Sequence, residues 1–268
     1  MACPLAAGYV AAVFSTRRPP PALRAKLVAL LESLGTSALW VGVAVVVMTL
    51  ALVVSTSRSG LLAFAVSLAG AAWLARGRLT RKTGALGLLA ILALAALVAA
   101  YVSVQPLLSR VDETLAVGAG GRPRIWQETL RLIGDFWLTG TGLGSYQTAM
   151  LVSQQTDRTV FINQAHSQYL HFLAEGGVLL TVPAVMAVVA FFRLFRTRLA
   201  QDASPSVWLR IGGGAAMLAV AVQGVWETGL RMPANGLLFA IAAAVAVHRP
   251  GEPRAAREKD SADNYAAP

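Results

Sequence analysis

Six apolar stretches, 38–54, 60–75, 84–104, 172–192, 209–226 and 230–247, dominate the 268 residues and set the solvent in which the chain must fold. Crossing about 30 Å of hydrocarbon takes about 20 apolar residues at helical rise, and these runs approach or meet that length. The last run is the weakest, because Arg231 and Pro233 stand at its start. Composition agrees with lipid as the main solvent. Charged residues make up 13% of the chain and hydrophobic ones 56%, with mean hydropathy +0.60, whereas soluble domains carry about 25% charged residues. The pattern predicts an all-α polytopic membrane protein with about six transmembrane helices and a long external loop carrying short interfacial helices.

The net charge of +10 suggests nucleic acid until its distribution is read. Fifteen of the 23 Lys and Arg fall in four segments: Arg17, Arg18, Arg24 and Lys26; Arg76, Arg78, Arg81 and Lys82; Arg193, Arg196 and Arg198; Arg249, Arg254, Arg257 and Lys259. A chain alternating sides six times puts all four on one face. Positive charge accumulates in cytoplasmic loops, so that face is the cytoplasm and no nucleic-acid partner is expected. The organisation is an N-terminal remnant and cytoplasmic segment (1–37), three spans (38–104), an external loop (105–167), three further spans (168–248) and a disordered cytoplasmic tail (249–268). The N-terminal apolar segment, 1–14, has no basic residue before its apolar residues and Arg17 and Arg18 after them. That is the wrong order for a signal peptide, and it reads as the tail of a helix cut from a longer chain.

The external loop carries five arginines against five acids, so topology does not explain its arginines. Within it, 124–137 places Ile125, Trp126, Leu130, Ile133 and Trp137 on roughly one helical side, as in a helix lying on a membrane surface. Gly140-Thr141-Gly142-Leu143-Gly144-Ser145 lacks the preceding strand and the Lys-Ser/Thr ending of a nucleotide loop, and reads as a tight turn. His166 sits where the chain enters a span from outside and can take a proton near neutral pH; a plain interfacial polar role is the alternative. His171 and Glu175, four residues apart, are placed to satisfy one another. His248 marks the cytoplasmic end of the last span. Arg58 and Arg231 lie in external turns, either as functional charges or snorkelling, with Glu227 a possible partner for Arg231. Together Arg58, Arg122, Arg124 and Arg231 set four guanidiniums on one side of the membrane, which suits a polyanionic substrate. The lone Cys3 forms no internal disulfide, and no Cys/His spacing resembles a metal site, so no metal or other cofactor is expected.

These pieces in order resemble the C-terminal half of the O-antigen ligase and O-antigen polymerase family. The matching stretches are Ser57-Arg58-Ser59-Gly60, Gly121-Arg122 with Ile125-Trp126, Gly140 to Gly144, and His166-Ser167-x-Tyr169-Leu170 running to Glu175-x-Gly177. The segment from Glu227 through Arg231 to Asn235 is similar to a late-loop pattern of some members. Trp137 stands where the family often has proline. The resemblance implies a metal-independent, inverting glycosyltransferase in the bacterial inner membrane, its site facing the periplasm or exterior. The donor would be a glycan on undecaprenyl pyrophosphate and the acceptor lipid A core, a growing glycan or a protein. By matched position His166 is the candidate catalytic base and Arg58 and Arg122 the pyrophosphate ligands, with Arg124 at a less fixed position. Two other readings compete: a transporter or flippase of an anionic lipid-linked substrate, which should show repeated halves and mid-span charge, and an inactive fragment.

Overall fold

The computed structural model describes residues 1–15, 37–55, 57–78, 121–155, 158 and 161–249. Among these residues there are eight α-helices and no strand: α1 (Ala2–Ser15), α2 (Ser37–Val54), α3 (Arg58–Ala75), α4 (Gly121–Asp135), α5 (Tyr146–Ser153), α6 (Gln168–Gln201), α7 (Val207–Gln223) and α8 (Pro233–Val247), with a 3-10 turn at Gly229–Arg231. The span expected at 84–104, the tail from 250 on and the basic group Arg17 to Lys26 lie outside the described residues.

Helices α2 and α3 begin and end within about two residues of the apolar runs. The reason is the serine-rich turn between them, where the Ser57 hydroxyl accepts the Gly60 N–H at 3.2 Å and so starts α3. Helix α6 departs further from expectation. It runs 34 residues, through Arg193, Arg196 and Arg198, before stopping at Gln201. Among the described residues it is the one helix long and apolar enough to cross a membrane. The other apolar helices, α1, α2, α3, α7 and α8, span 14 to 18 residues each.

Helix α7 is the hub of the bundle, and its small residues make it so. A Cβ on Gly212 would stand 2.6 Å from the Pro4 carbonyl of α1, one on Gly213 2.8 Å from the Ala242 carbonyl of α8, and one on Gly214 2.6 Å from the Phe195 ring of α6. Three consecutive glycines thus admit the backbones of α1 and α8 and the Phe195 ring of α6 at close range. Helix α3 lies antiparallel to α7, with Gly70 beside Leu218 and Ala75 against Val207 and Ile211. Helix α1 lies antiparallel to α2, tied by Tyr9 to Ser37 at 2.8 Å.

These pairings collect the finish of α3, α6 and α8 at one end of the bundle. There Arg210 is fully buried. Its guanidinium grips Asp202 through Nε at 3.2 Å and one terminal nitrogen at 3.0 Å, and donates to the carbonyls of Ala246 at 2.8 Å and His248 at 3.0 Å. Asp202 also accepts from the backbone and hydroxyl of Ser204 and from the hydroxyl of Ser206. Arg78 adds a bond to the Leu199 carbonyl at 3.1 Å, capping α6. Every charge in this cluster has a partner, so burial is tolerated. The opposite end receives the start of α3, α6 and α8, and with them the residues singled out for chemistry.

Candidate active site

Helix α6 is broken near its start. Gly177 adopts φ +56°, ψ −166°, which interrupts the helical ladder and leaves carbonyls before the break and N–H groups after it unpaired. The glycine turn supplies all four partners. Thr141 and Gly142 donate their N–H groups to the carbonyls of Ala174 and Glu175 at 2.9 Å each, and Val178 and Leu179 donate to the carbonyls of Trp137 and Leu138 at 2.9 and 3.0 Å. The fit requires glycine on both sides. A Cβ at Gly140 would meet the Glu175 carbonyl oxygen at 2.3 Å, and one at Gly177 would meet the Gly140 nitrogen at 2.4 Å. The run of glycines expected to form a tight turn is therefore also the lock that holds a helix break open.

That lock positions a buried polar network. One Glu175 carboxylate oxygen accepts the Tyr146 N–H at 3.2 Å, faces His171 Nε2 at 3.1 Å, and lies 3.9 Å from the Arg231 guanidinium. The Ala165 N–H points at His171 Nδ1 at 3.3 Å, so Nδ1 is the acceptor and Nε2 carries the proton given to Glu175. The mutual satisfaction expected of His171 and Glu175 is what the geometry contains, and the buried His171 ring, stacked 4.4 Å from Tyr146, has no nitrogen left for substrate. Burial pushes the Tyr146 phenol up to about 12, against the Thr129 hydrogen bond that lowers it, so it stays a neutral hydroxyl.

Helix α4 packs on this network with only part of its apolar side, through Ile125 and Ile133. Glu128, Thr129 and Leu132 are buried, while Leu130 is 54% and Trp137 58% exposed. The cause is that the loop has its own small core of Leu132, Tyr146, Met150, Ile162, Ala165 and Ala174, and α4 turns its Ile125–Leu132 side toward it. The apolar side chains left outside continue through Phe136, Leu138 and Leu143.

Of the predicted site residues, Arg122, His166 and Arg231 belong to segments that are tied together. Trp126 donates to the Ala165 carbonyl at 3.0 Å, the Thr228 hydroxyl donates to Gln164, and Gln168 N–H donates to the Gly224 carbonyl at 2.7 Å. His166 lies between the ties at Ala165 and Gln168 with φ +49°, a left-handed backbone uncommon outside glycine. Its imidazole is half-buried and has no hydrogen-bond partner among the described residues. The anticipated Arg231–Glu227 pair does not form. Glu227 instead binds Arg122 at 2.9 Å, because the 3-10 turn carries Arg231 over to Glu175. Arg124 is exposed on the first turn of α4, and Arg58 opens α3 at the same end of the bundle. Sequence reasoning weighed Glu175 and Glu227 only as local partners; their long-range roles had no short-range signal.

Beside the Arg122–Glu227 pair lies a cavity of about 540 Å³ between α3, α6, α7 and α8, with Glu227 in its lining. Gln168, Glu227 and Asn235 stand at its polar end, and Trp73, Phe192, Phe195 and Met217 line the apolar remainder.

A family model described as O-antigen ligase matches residues 43–185, just over half of the chain. No curated protein and no solved structure matches. The matched range includes Arg58, Arg122, Arg124, His166 and the whole glycine lock. The chain belongs to the O-antigen ligase family.

Proposed function

We propose that this chain is a multi-spanning glycosyltransferase of the bacterial cytoplasmic membrane that moves a glycan from undecaprenyl pyrophosphate to an acceptor hydroxyl on the external side. The acceptor is lipid A core, a growing glycan or a protein. The observation that carries the reading is the cavity of about 540 Å³, lined mostly by apolar side chains and including Glu227, which is held by Arg122. A ligand with a hydrocarbon tail and an anionic head matches that division of chemistry.

Membrane placement draws support from what the helices leave outside. Only 6% of the most apolar window of α6 is buried, and Leu179, Val185, Met186 and Val188 are each more than half exposed. On α2 the same holds for Trp40, Val46, Val47, Leu50 and Val54. Exposing such side chains to water costs about 1.5–3 kcal/mol apiece, a cost lipid removes. The described basic residues Arg76, Arg78, Arg193, Arg196, Arg198 and Arg249 belong to the end opposite the Arg122–Glu227 pair or the turns approaching it, which favours that end as cytoplasmic.

In the reaction the acceptor oxygen attacks the anomeric carbon from the face opposite the pyrophosphate, so configuration inverts. The bond to the pyrophosphate breaks and its charge grows; Arg122 and Arg231, with Arg58 and Arg124 as further cations, stabilise that charge without a metal. His166 takes the acceptor proton. It suits the task better than His171, whose two nitrogens are engaged. Complementation of a strain lacking the activity tests this: full-length His166→Ala should give no polymer or surface attachment on gels, and undiminished product would sink the assignment. Arg122→Lys should rescue poorly, since lysine lacks the planar fork.

A further inference from the structure

We propose that Glu227 is a specificity-determining residue, a built-in carboxylate that occupies Arg122 and screens the cavity against singly charged phosphate heads. The inference rests on the lipid-diphosphate reading of the site. Four observations carry it. Glu227 binds Arg122 at 2.9 Å, across 105 residues of sequence, so the pairing is made by the fold and not by helical proximity. Both side chains are partly open, at 45% and 37% exposure, so the pair is accessible to a competing anion. Glu227 also lines the cavity, which places its carboxylate at the position an anionic head would take when its tail lies inside. Finally, Arg231 lies 3.9 Å from the buried Glu175, so among the described residues Glu227 is the carboxylate paired with Arg122.

A cavity open to a bilayer meets phospholipid in vast excess, each molecule offering an acyl tail and a phosphodiester of one negative charge. Against such a head the Glu227 carboxylate presents equal charge and no translational entropy to lose, so an intramolecular partner wins. A diphosphate brings more charge and more acceptor oxygens than one carboxylate, and so competes better for the Arg122 guanidinium. Displacement is thus selective for the doubly phosphorylated head. Discrimination here comes from a competitor that the wrong ligand fails to displace.

The test is binding of undecaprenyl pyrophosphate to the full chain in nanodiscs of phosphatidylcholine, without and with phosphatidylglycerol, for wild type, Glu227→Gln, Glu227→Ala, Arg122→Ala and the Arg122→Ala/Glu227→Gln double variant. Thermal unfolding of each variant is followed alongside. Wild-type affinity should be insensitive to phosphatidylglycerol. Glu227→Gln and Glu227→Ala should bind about tenfold more tightly in phosphatidylcholine, the scale of one charge-assisted contact removed from competition. Both should lose that gain as phosphatidylglycerol rises, and the gain should vanish in the Arg122→Ala background. Unchanged or weaker binding by the Glu227 variants overturns the proposal, as does a gain that persists without Arg122, which would mark a general charge effect. Failure of wild type and variants alike to bind the diphosphate would instead overturn the reading beneath it.

Discussion

Arginine meets carboxylate at both ends of the bundle, and the two meetings have opposite physics. At one end Arg210 and Asp202 are almost wholly shielded from solvent, with 0% and 2% of their side chains exposed, and the guanidinium is further committed to the carbonyls of Ala246 and His248. At the other, Arg122 and Glu227 share a single contact and are 45% and 37% exposed. The first pair has little to exchange: four of the five guanidinium N–H groups hold the ends of α6, α7 and α8 together. The second leaves most of its guanidinium free to take another anion. Residue type alone does not separate a structural arginine from a ligand-binding one; saturation of its donors does.

That contrast breaks most readily at the saturated end. Arg210→Ala leaves Asp202 buried without its cation and should destabilise the protein by about 3–5 kcal/mol, measured as a lower unfolding midpoint and reduced yield in detergent. A midpoint within a degree of wild type would show that the clamp is idle. Next in size is the glycine lock. Gly177→Ala demands a side chain 2.4 Å from backbone atoms at φ +56°, and should cost about 2–4 kcal/mol by clash and left-handed strain. Activity should fall with it, since Glu175 and Tyr146 lose their register.

At the open end the effect should fall on ligand and not on fold. Arg122→Ala should change stability by about 0–1 kcal/mol, as for other exposed pairs, while donor binding weakens about tenfold or more. A loss of stability matching that of Arg210→Ala would erase the distinction. The smallest effect is a pH dependence at the clamp. Burial alone would raise the Asp202 carboxyl, but the hydrogen bonds from Ser204 and Arg210 and the Arg210 charge outweigh it and hold it below the ordinary carboxylate value. Its contribution is therefore present above that ordinary value and is lost as pH falls through the lower folded one. Melting curves on the acid side should show this slope, and Asp202→Asn should flatten it.

The sequence carried the helices well and their breaks poorly. Helices α2 and α3 were legible because serine and glycine punctuate two uniform apolar runs, whereas α8 starts at Pro233, three residues inside the run read from 230. The break at Gly177 was not, because Ala174-Glu175-Gly176-Gly177 continues a helical pattern on both sides. What opens it is a turn more than 30 residues earlier. Arg210 went unremarked within the apolar run 209–226; the cluster Asp202, Ser204 and Ser206 just before it was the signal that a partner lay near. His166, Arg122 and Arg231 were nominated by resemblance and charge, and the fold ties their segments together. Their carboxylate partners were misassigned, because local spacing favoured Glu227 for Arg231 and only the tertiary path of the loop brings Arg122 to Glu227.

The most direct test of the account is transfer itself, by the purified chain in bilayers supplied with a labelled undecaprenyl-pyrophosphate glycan and an acceptor, comparing wild type with His166→Gly. Glycine accepts the left-handed backbone at this position more readily than histidine, so the variant should fold as well or better, with up to about 1 kcal/mol gained. The account predicts transfer by wild type and a loss of about 100-fold or more in the variant. A well-folded His166→Gly protein that transfers at the wild-type rate would contradict it.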